Sequence, residues 1–72
     1  MMLTMPYKYE EIVRVLTEDI KSGEFKSGDK LPSMAELREE FEASYGSIRT
    51  ALLIMKTQGL VKGRHGVGVF VV

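Results

Sequence analysis

Cysteine is missing from all 72 residues. That excludes disulfides, thiolate zinc sites and cysteine nucleophiles together, and it suits a reducing cytoplasm. Histidine occurs once, at position 65. It has no second imidazole to share a metal and no nucleophile partner, and neither a Ser-His-Asp set nor a phosphate loop occurs elsewhere. No enzyme activity, metal or cofactor is therefore expected. Long apolar runs are also lacking. Nothing approaches the length that spans a bilayer, and the apolar run within Met1–Tyr9 is too short for a secretory signal. No membrane partner is expected. The last absence is of one charge sign: no acid follows Glu42.

That gap changes the meaning of a net charge of zero. Residues 1–42 carry six bases and all ten acids, near −4, whereas residues 43–72 carry Arg49, Lys56, Lys62 and Arg64 and no acid, near +4. Such asymmetry assigns one surface to a polyanion and another to solvent or a protein partner; chance clustering is the alternative. The run Glu39, Glu40, Glu42 reads as a solvated face.

Hydrophobic residues make up 44% of the chain, ordinary for a folded domain. Its length fits one domain over residues 1–72, with a core of marginal stability. No repeat, linker or low-complexity segment interrupts it. Tyr9, Ile12, Val13, Leu16 and Ile20 recur at helical spacing, and the pattern predicts a first helix over about 7–22. Glu10 and Glu11 suit its first turn, Lys21 its last, and Gly23 stops it. A turn signal, Ser27-Gly28-Asp29, marks the following loop over 24–30. Leu31 precedes proline and is held extended. Ser33-Met34-Ala35-Glu36 is a capping box opening a second helix over about 33–41, with Met34, Leu37 and Phe41 on its buried stripe.

Ser44 caps a third helix over about 44–58, closed by Gly59, with Ile48, Ala51, Leu52 and Met55 inward. The Glu42-Ala43-Ser44 connection is too short for helices two and three to separate, so they cross as a helix-turn-helix. After Gly59 the period changes to that of strands. Leu60-Val61-Lys62, a turn at Gly63-Arg64-His65-Gly66, and Val67–Val72 form a hairpin over about 60–72. The expected architecture is α+β, a winged helix-turn-helix of three helices and a two-stranded β-hairpin wing. Gly66-x-Gly68 lacks the third glycine and following helix of a dinucleotide site and is set aside.

Taken in order, these residues resemble the winged-helix domain of GntR-type bacterial transcription regulators. The pieces that match are Tyr9 and Ile12, Ile20 with Gly23, Gly28-Asp29-Lys30-Leu31-Pro32-Ser33, and Leu37. Ser44, Ser47-Ile48-Arg49, Ala51-Leu52, Gly59-Leu60-Val61 and Gly66-Val67-Gly68-Val69-Phe70-Val71 follow. The chain departs from the family pattern at Met34-Ala35, where Glu-Arg is usual, and at Tyr45, where arginine is usual. Of three arginines the family commonly presents to DNA, Arg49 alone matches. The family normally continues into an effector-binding or oligomerisation domain. This chain is then either a DNA-binding fragment of such a protein or a small protein acting alone.

The resemblance implies double-stranded DNA as partner, with the third helix in the major groove and the wing tip at the minor groove or backbone. Arg49, one turn into that helix and off its buried stripe, would meet a guanine edge or a phosphate; its alternative is a surface ion pair with an acid of the second helix. Ser44 and Ser47 offer hydroxyls beside helical N–H groups, although Ser44 can serve as a cap alone. Tyr45 would pack on a thymine methyl or sugar, or instead on the second helix. Gly46 permits close backbone approach at a helix cost of about 1 kcal/mol relative to alanine, and Thr50 projects to the same side. Lys56 and Lys62 supply phosphate contacts. Arg64 and His65 stand at the wing tip, and Gly66 allows the tight turn there. Ser33 sits where the second helix crosses a strand of DNA, with capping as its other reading.

Leu53 and Ile54 lie off the buried stripe. They would pack on the first helix or the wing, or form part of a protein-partner surface. The leading expectation is a sequence-specific regulator, most simply a repressor, bound as a homodimer to a palindromic site in the bacterial cytoplasm at the nucleoid. The alternatives are a winged helix turned to protein contact and a small architectural factor for recombination or partition.

Overall fold

In the computed structural model, which describes residues 8–72, the elements are α1 (Lys8–Lys21), α2 (Met34–Phe41), α3 (Tyr45–Thr57), β1 (Val61–Arg64) and β2 (Gly68–Val71). Tyr7, the expected start of the first helix, lies outside the described residues. α1 holds Glu10 and Glu11 in its first turn and Lys21 in its last, the charge order that the helix dipole favours. It buries Ile12 and Leu16 and ends at Lys21, two residues before Gly23, whose φ of +92° suits glycine.

α2 opens on the reciprocal cap expected from Ser33 and Glu36. The Glu36 N–H donates to Ser33 Oγ at 3.1 Å, and the Ser33 N–H donates to Glu36 Oε1 at 2.8 Å. The helix closes on Glu42, the only described non-glycine residue with positive φ, at φ 51° and ψ 49°. There the Ala43 N–H reaches the Arg38 carbonyl at 3.1 Å. This left-handed closure sends the chain straight into the α3 cap and sets the angle of the helix-turn-helix. A β-carbon in that region costs roughly 1–2 kcal/mol. Glycine removes this cost but has a more disordered unfolded chain to lose. Glu42→Gly is therefore expected to stabilise the protein by about 0.5–1 kcal/mol, seen as a melting temperature raised by a few degrees.

α3 is capped by Ser44 and terminated by Gly59 at φ +77°. The Leu60 N–H reaches the Met55 carbonyl and the Gly59 N–H the Lys56 carbonyl, each at 3.0 Å, the paired closure that satisfies orphan carbonyls. Its buried face is Ile48, Ala51, Leu52 and Met55. With Ile12, Leu16, Leu37, Phe41, Leu31, Val61 and Val71 these form one core without a buried polar residue. α3 packs against α1, α2 and β1, so its opposite side faces solvent.

The strands pair antiparallel with Val61 opposite Val71, Lys62 opposite Phe70, Gly63 opposite Val69 and Arg64 opposite Gly68. This corrects the expected turn. Gly63 and Arg64 belong to β1, and the loop is His65-Gly66-Val67, closed by the Val67 N–H on the Arg64 carbonyl at 2.9 Å. The ladder gains two rungs, and Arg64 drops one step back from the tip. The expected loop over 24–30 is also partly ordered. Lys30 bridges to Phe70, the Leu31 N–H donates to the Val69 carbonyl, and the Val71 N–H donates to the Asp29 carbonyl, both at 2.8 Å. β2 is thereby paired on both sides, by β1 and by residues 28–31.

Candidate nucleic-acid interface

The N-terminal turn of α3 is held by side chains that sequence reading assigned to DNA. Ser44 Oγ accepts the Ser47 N–H at 3.1 Å, and its own hydroxyl donates to Ser47 Oγ at 3.2 Å. Ser44 is thus the cap, as its structural reading held. Gly46 is exposed, and a β-carbon there would meet only Ser44 Oγ at 3.9 Å. Nothing inside the protein therefore requires glycine at this position, and its bare backbone faces outward.

Tyr45 is 51% exposed, and Arg49 and Thr50 are exposed as well. Among the described residues Arg49 has no ion pair; the two salt bridges, Lys8–Glu11 and Arg14–Glu18, both lie on α1. The alternative pairing of Arg49 with an α2 acid is therefore absent. Arg49 shares a shallow groove of about 250 Å³ with Met34, Tyr45, Leu52, Leu53, Lys56 and Val69. Lys56, two turns beyond Arg49, reaches the wing: a β-carbon at Gly63 would stand 3.2 Å from Lys56 Nζ. Tyr45, Arg49 and Lys56 thus form one exposed strip leading from the α3 cap to the hairpin.

The wing cations are arranged differently from expectation. Side chains alternate across a strand. Val61 and Gly63 face the core with Val69 and Val71, so Lys62 and Arg64 face the other way with Phe70. The Arg64 guanidinium lies 5.6 Å from the Phe70 ring centroid, within cation–π range. Lys62 and Arg64 line a hollow with Ser27, Gly28 and Phe70 on this outer face. The acid-free cations therefore occupy two faces of the wing and do not gather on one. His65 and Gly66 remain exposed at the tip, with Gly66 at φ +75°.

Ser33 is exposed at the start of α2, in a separate hollow with Lys30, Glu36 and Glu40. Leu53 and Ile54 do not form one patch. Successive helical residues are about 100° apart, which turns Ile54 to a groove with Tyr9 and Val13 of α1 and leaves Leu53 59% exposed beside Arg49. Lys30, unassigned from sequence, proves to cross the wing: a β-carbon at Gly68 would stand 2.7 Å from Lys30 Cε. Its single bridge to Phe70 is non-local, and one residue carries no periodicity that could reveal it. Among the described residues no group of three or more His, Asp or Glu side chains is placed to hold a metal, and no helix is long and apolar enough to cross a membrane.

Three helices with a crossed second and third, followed by an antiparallel hairpin, define a winged helix-turn-helix. The sequence pattern of the bacterial regulatory proteins of the gntR family matches residues 8–71, and the chain belongs to that family. It is 38% identical over 64 residues to the Uxu operon regulator of Haemophilus influenzae, covering 89% of this chain and 24% of the regulator. It is 45% identical over 51 residues to the HTH-type transcriptional regulator LutR of Bacillus subtilis, covering 71% of this chain and 23% of LutR. The chain thus spans about a quarter of the length of these curated relatives. Among solved structures, the DNA-binding domain of AraR in complex with operator ORR3 superposes with a TM-score of 0.93 at 29% identity, over 100% of this chain and 86% of that one.

Proposed function

We propose that residues 1–72 form one domain that binds double-stranded DNA sequence-specifically and regulates transcription, most simply as a repressor that blocks polymerase. The observation that carries this reading is the exposed strip from the α3 cap through Arg49 to Lys56, with its arginine unpaired and its Gly46 backbone bare. The AraR DNA-binding domain, which shares the fold, is seen with an operator. Ser47, Arg49 and Thr50 read base edges in the major groove. Ser33, Lys56, Lys62, Arg64, His65 and Gly66 meet phosphates or the minor groove, and Tyr45 lies against a sugar or thymine methyl. Two copies on a palindromic site in the cytoplasmic nucleoid supply the contact area that one small domain lacks. No catalytic role is assigned. A protein partner through Leu53 and Ile54 is disfavoured, because Ile54 sits against α1 and leaves Leu53 alone.

Selection of bound duplexes from a random pool tests this. The expected result is a palindromic consensus. If Lys56, Lys62 and Arg64 each neutralise a phosphate in two copies, affinity for it falls with salt at a log–log slope of about −5. No enrichment, or a flat salt response, overturns the proposal. Retention on a protein without any duplex shift would mark a protein-contact domain instead, and a bent but non-specific complex an architectural factor.

A further inference from the structure

Lys30 and Lys56 come from different parts of the chain, yet each lies over a glycine near the wing tip, Lys30 with its stem and Lys56 with its ammonium end. Lys56 descends from α3 and covers Gly63, on the core-side face. Lys30 comes from the segment before α2 and covers Gly68, on the outer face that also carries Arg64 and Phe70. Gly63 and Gly68 occupy adjacent rungs, opposite Val69 and Arg64. The last two rungs before the tip are therefore stripped of one side chain each, on opposite faces, and a lysine lies in each vacated place. A β-carbon at Gly68 would stand 2.7 Å from Lys30 Cε and force that side chain to move, whereas one at Gly63 would stand 3.2 Å from Lys56 Nζ and shift it by a few tenths of an ångström. The Lys30 main chain is fixed by the sheet-like bonds of residues 29–31 to β2. Two acids line its hollow, Glu36, which is engaged with the Ser33 N–H, and Glu40, which is exposed; Lys30 forms an ion pair with neither, nor with any other described residue.

The minor groove is a slot about 6 Å wide bounded by two phosphate strands. A protein blade entering such a slot meets one strand on each face. We infer that Lys30 contacts the DNA backbone on the outer side of the wing, opposite the phosphate strand met by Lys56, so that the hairpin is clasped between the two strands. This rests on the DNA-binding reading above. It adds a contact residue that lies outside the acid-free C-terminal part.

The test is Lys30→Met, which keeps the stem over Gly68 and removes the charge. Binding of the selected consensus duplex is titrated between 50 and 200 mM salt, and backbone protection is mapped by hydroxyl-radical cleavage. The salt slope is expected to shrink by about 0.9 per bound copy, so that the ratio of wild-type to variant affinity narrows about 3.5-fold per copy across that range. Protection is lost on one strand flanking the minor groove. Base preference is unchanged, and Lys30→Arg restores both slope and protection. Thermal melting of the Met variant matches wild type, which separates a lost contact from a loosened wing. A wild-type protein that binds with the steep slope while Lys30→Met keeps the same slope and footprint overturns this inference alone. A wild type without salt-dependent duplex binding overturns the functional reading beneath it.

Discussion

Arg49→Ala is expected to weaken binding of the selected duplex by about 5- to 150-fold per bound domain, the range that corresponds to roughly 1–3 kcal/mol for one bidentate base contact. The same change should leave the melting temperature where it is. Arg49 is exposed and forms no ion pair among the described residues, so its removal leaves no internal partner stranded. The two neighbours that shape its position, Tyr45 one turn before and Lys56 two turns after, lie in the same groove and stay in place. Arg49→Lys divides the two modes of contact. Lysine keeps the charge but not the planar fork. A phosphate contact would survive it nearly intact, whereas a guanine contact would lose most of its discrimination at one base position. Competition between the consensus and singly altered duplexes reads that difference. Affinity unchanged by Arg49→Ala would remove α3 from the major groove and leave the proposed mode of recognition without its central side chain.

What could be read from the residues in advance follows the range of the forces involved. Caps and stripes are local. The Ser33–Glu36 capping box, the Ser44 cap and the inward set Ile48, Ala51, Leu52, Met55 all appear as expected, because each rests on bonds or contacts within one or two turns. The crossing of α2 and α3 was legible for the same reason, since a short connection leaves no other arrangement. The wing was legible as a hairpin but not in register. Gly63 looked like turn chemistry, yet it pairs with Val69 and makes room for Lys56 of α3, a tertiary cause invisible to a local rule. Once the register moves by that step, Arg64 leaves the tip and turns to Phe70. A charge count could show that residues 43–72 are basic, but the alternation of a strand decides which side each base faces. Leu53 and Ile54 show the same limit: adjacent in sequence, they diverge because one turns to α1 and the other to solvent.

The other large effect concerns folding. Ile48→Ala is expected to destabilise the protein by about 2–5 kcal/mol, the usual cost of deleting a fully buried isoleucine side chain with partial collapse of the cavity. Ile48 has no exposed surface and lies in one core with Ile12, Leu37 and Met55. For a chain of 72 residues the total stability is itself on the order of 4–11 kcal/mol at ordinary values per residue, and no disulfide adds to it. One such truncation therefore removes a large share, lowering the melting temperature by at least about 8 °C at 4–8 °C per kcal/mol. Ile48 also sits between Ser47 and Arg49, and its burial fixes which way those two side chains point. The variant should thus lose DNA binding with a temperature profile that tracks its unfolding, while at low temperature, where the fold persists, the salt slope returns to the wild-type value. Arg49→Ala would show the opposite pattern, weak at every temperature in an intact fold. Circular dichroism melts run beside binding titrations at several temperatures separate the two. An Ile48→Ala protein that melts within about 2 °C of wild type would mean that this helix is anchored to the rest of the molecule by something other than its apolar stripe.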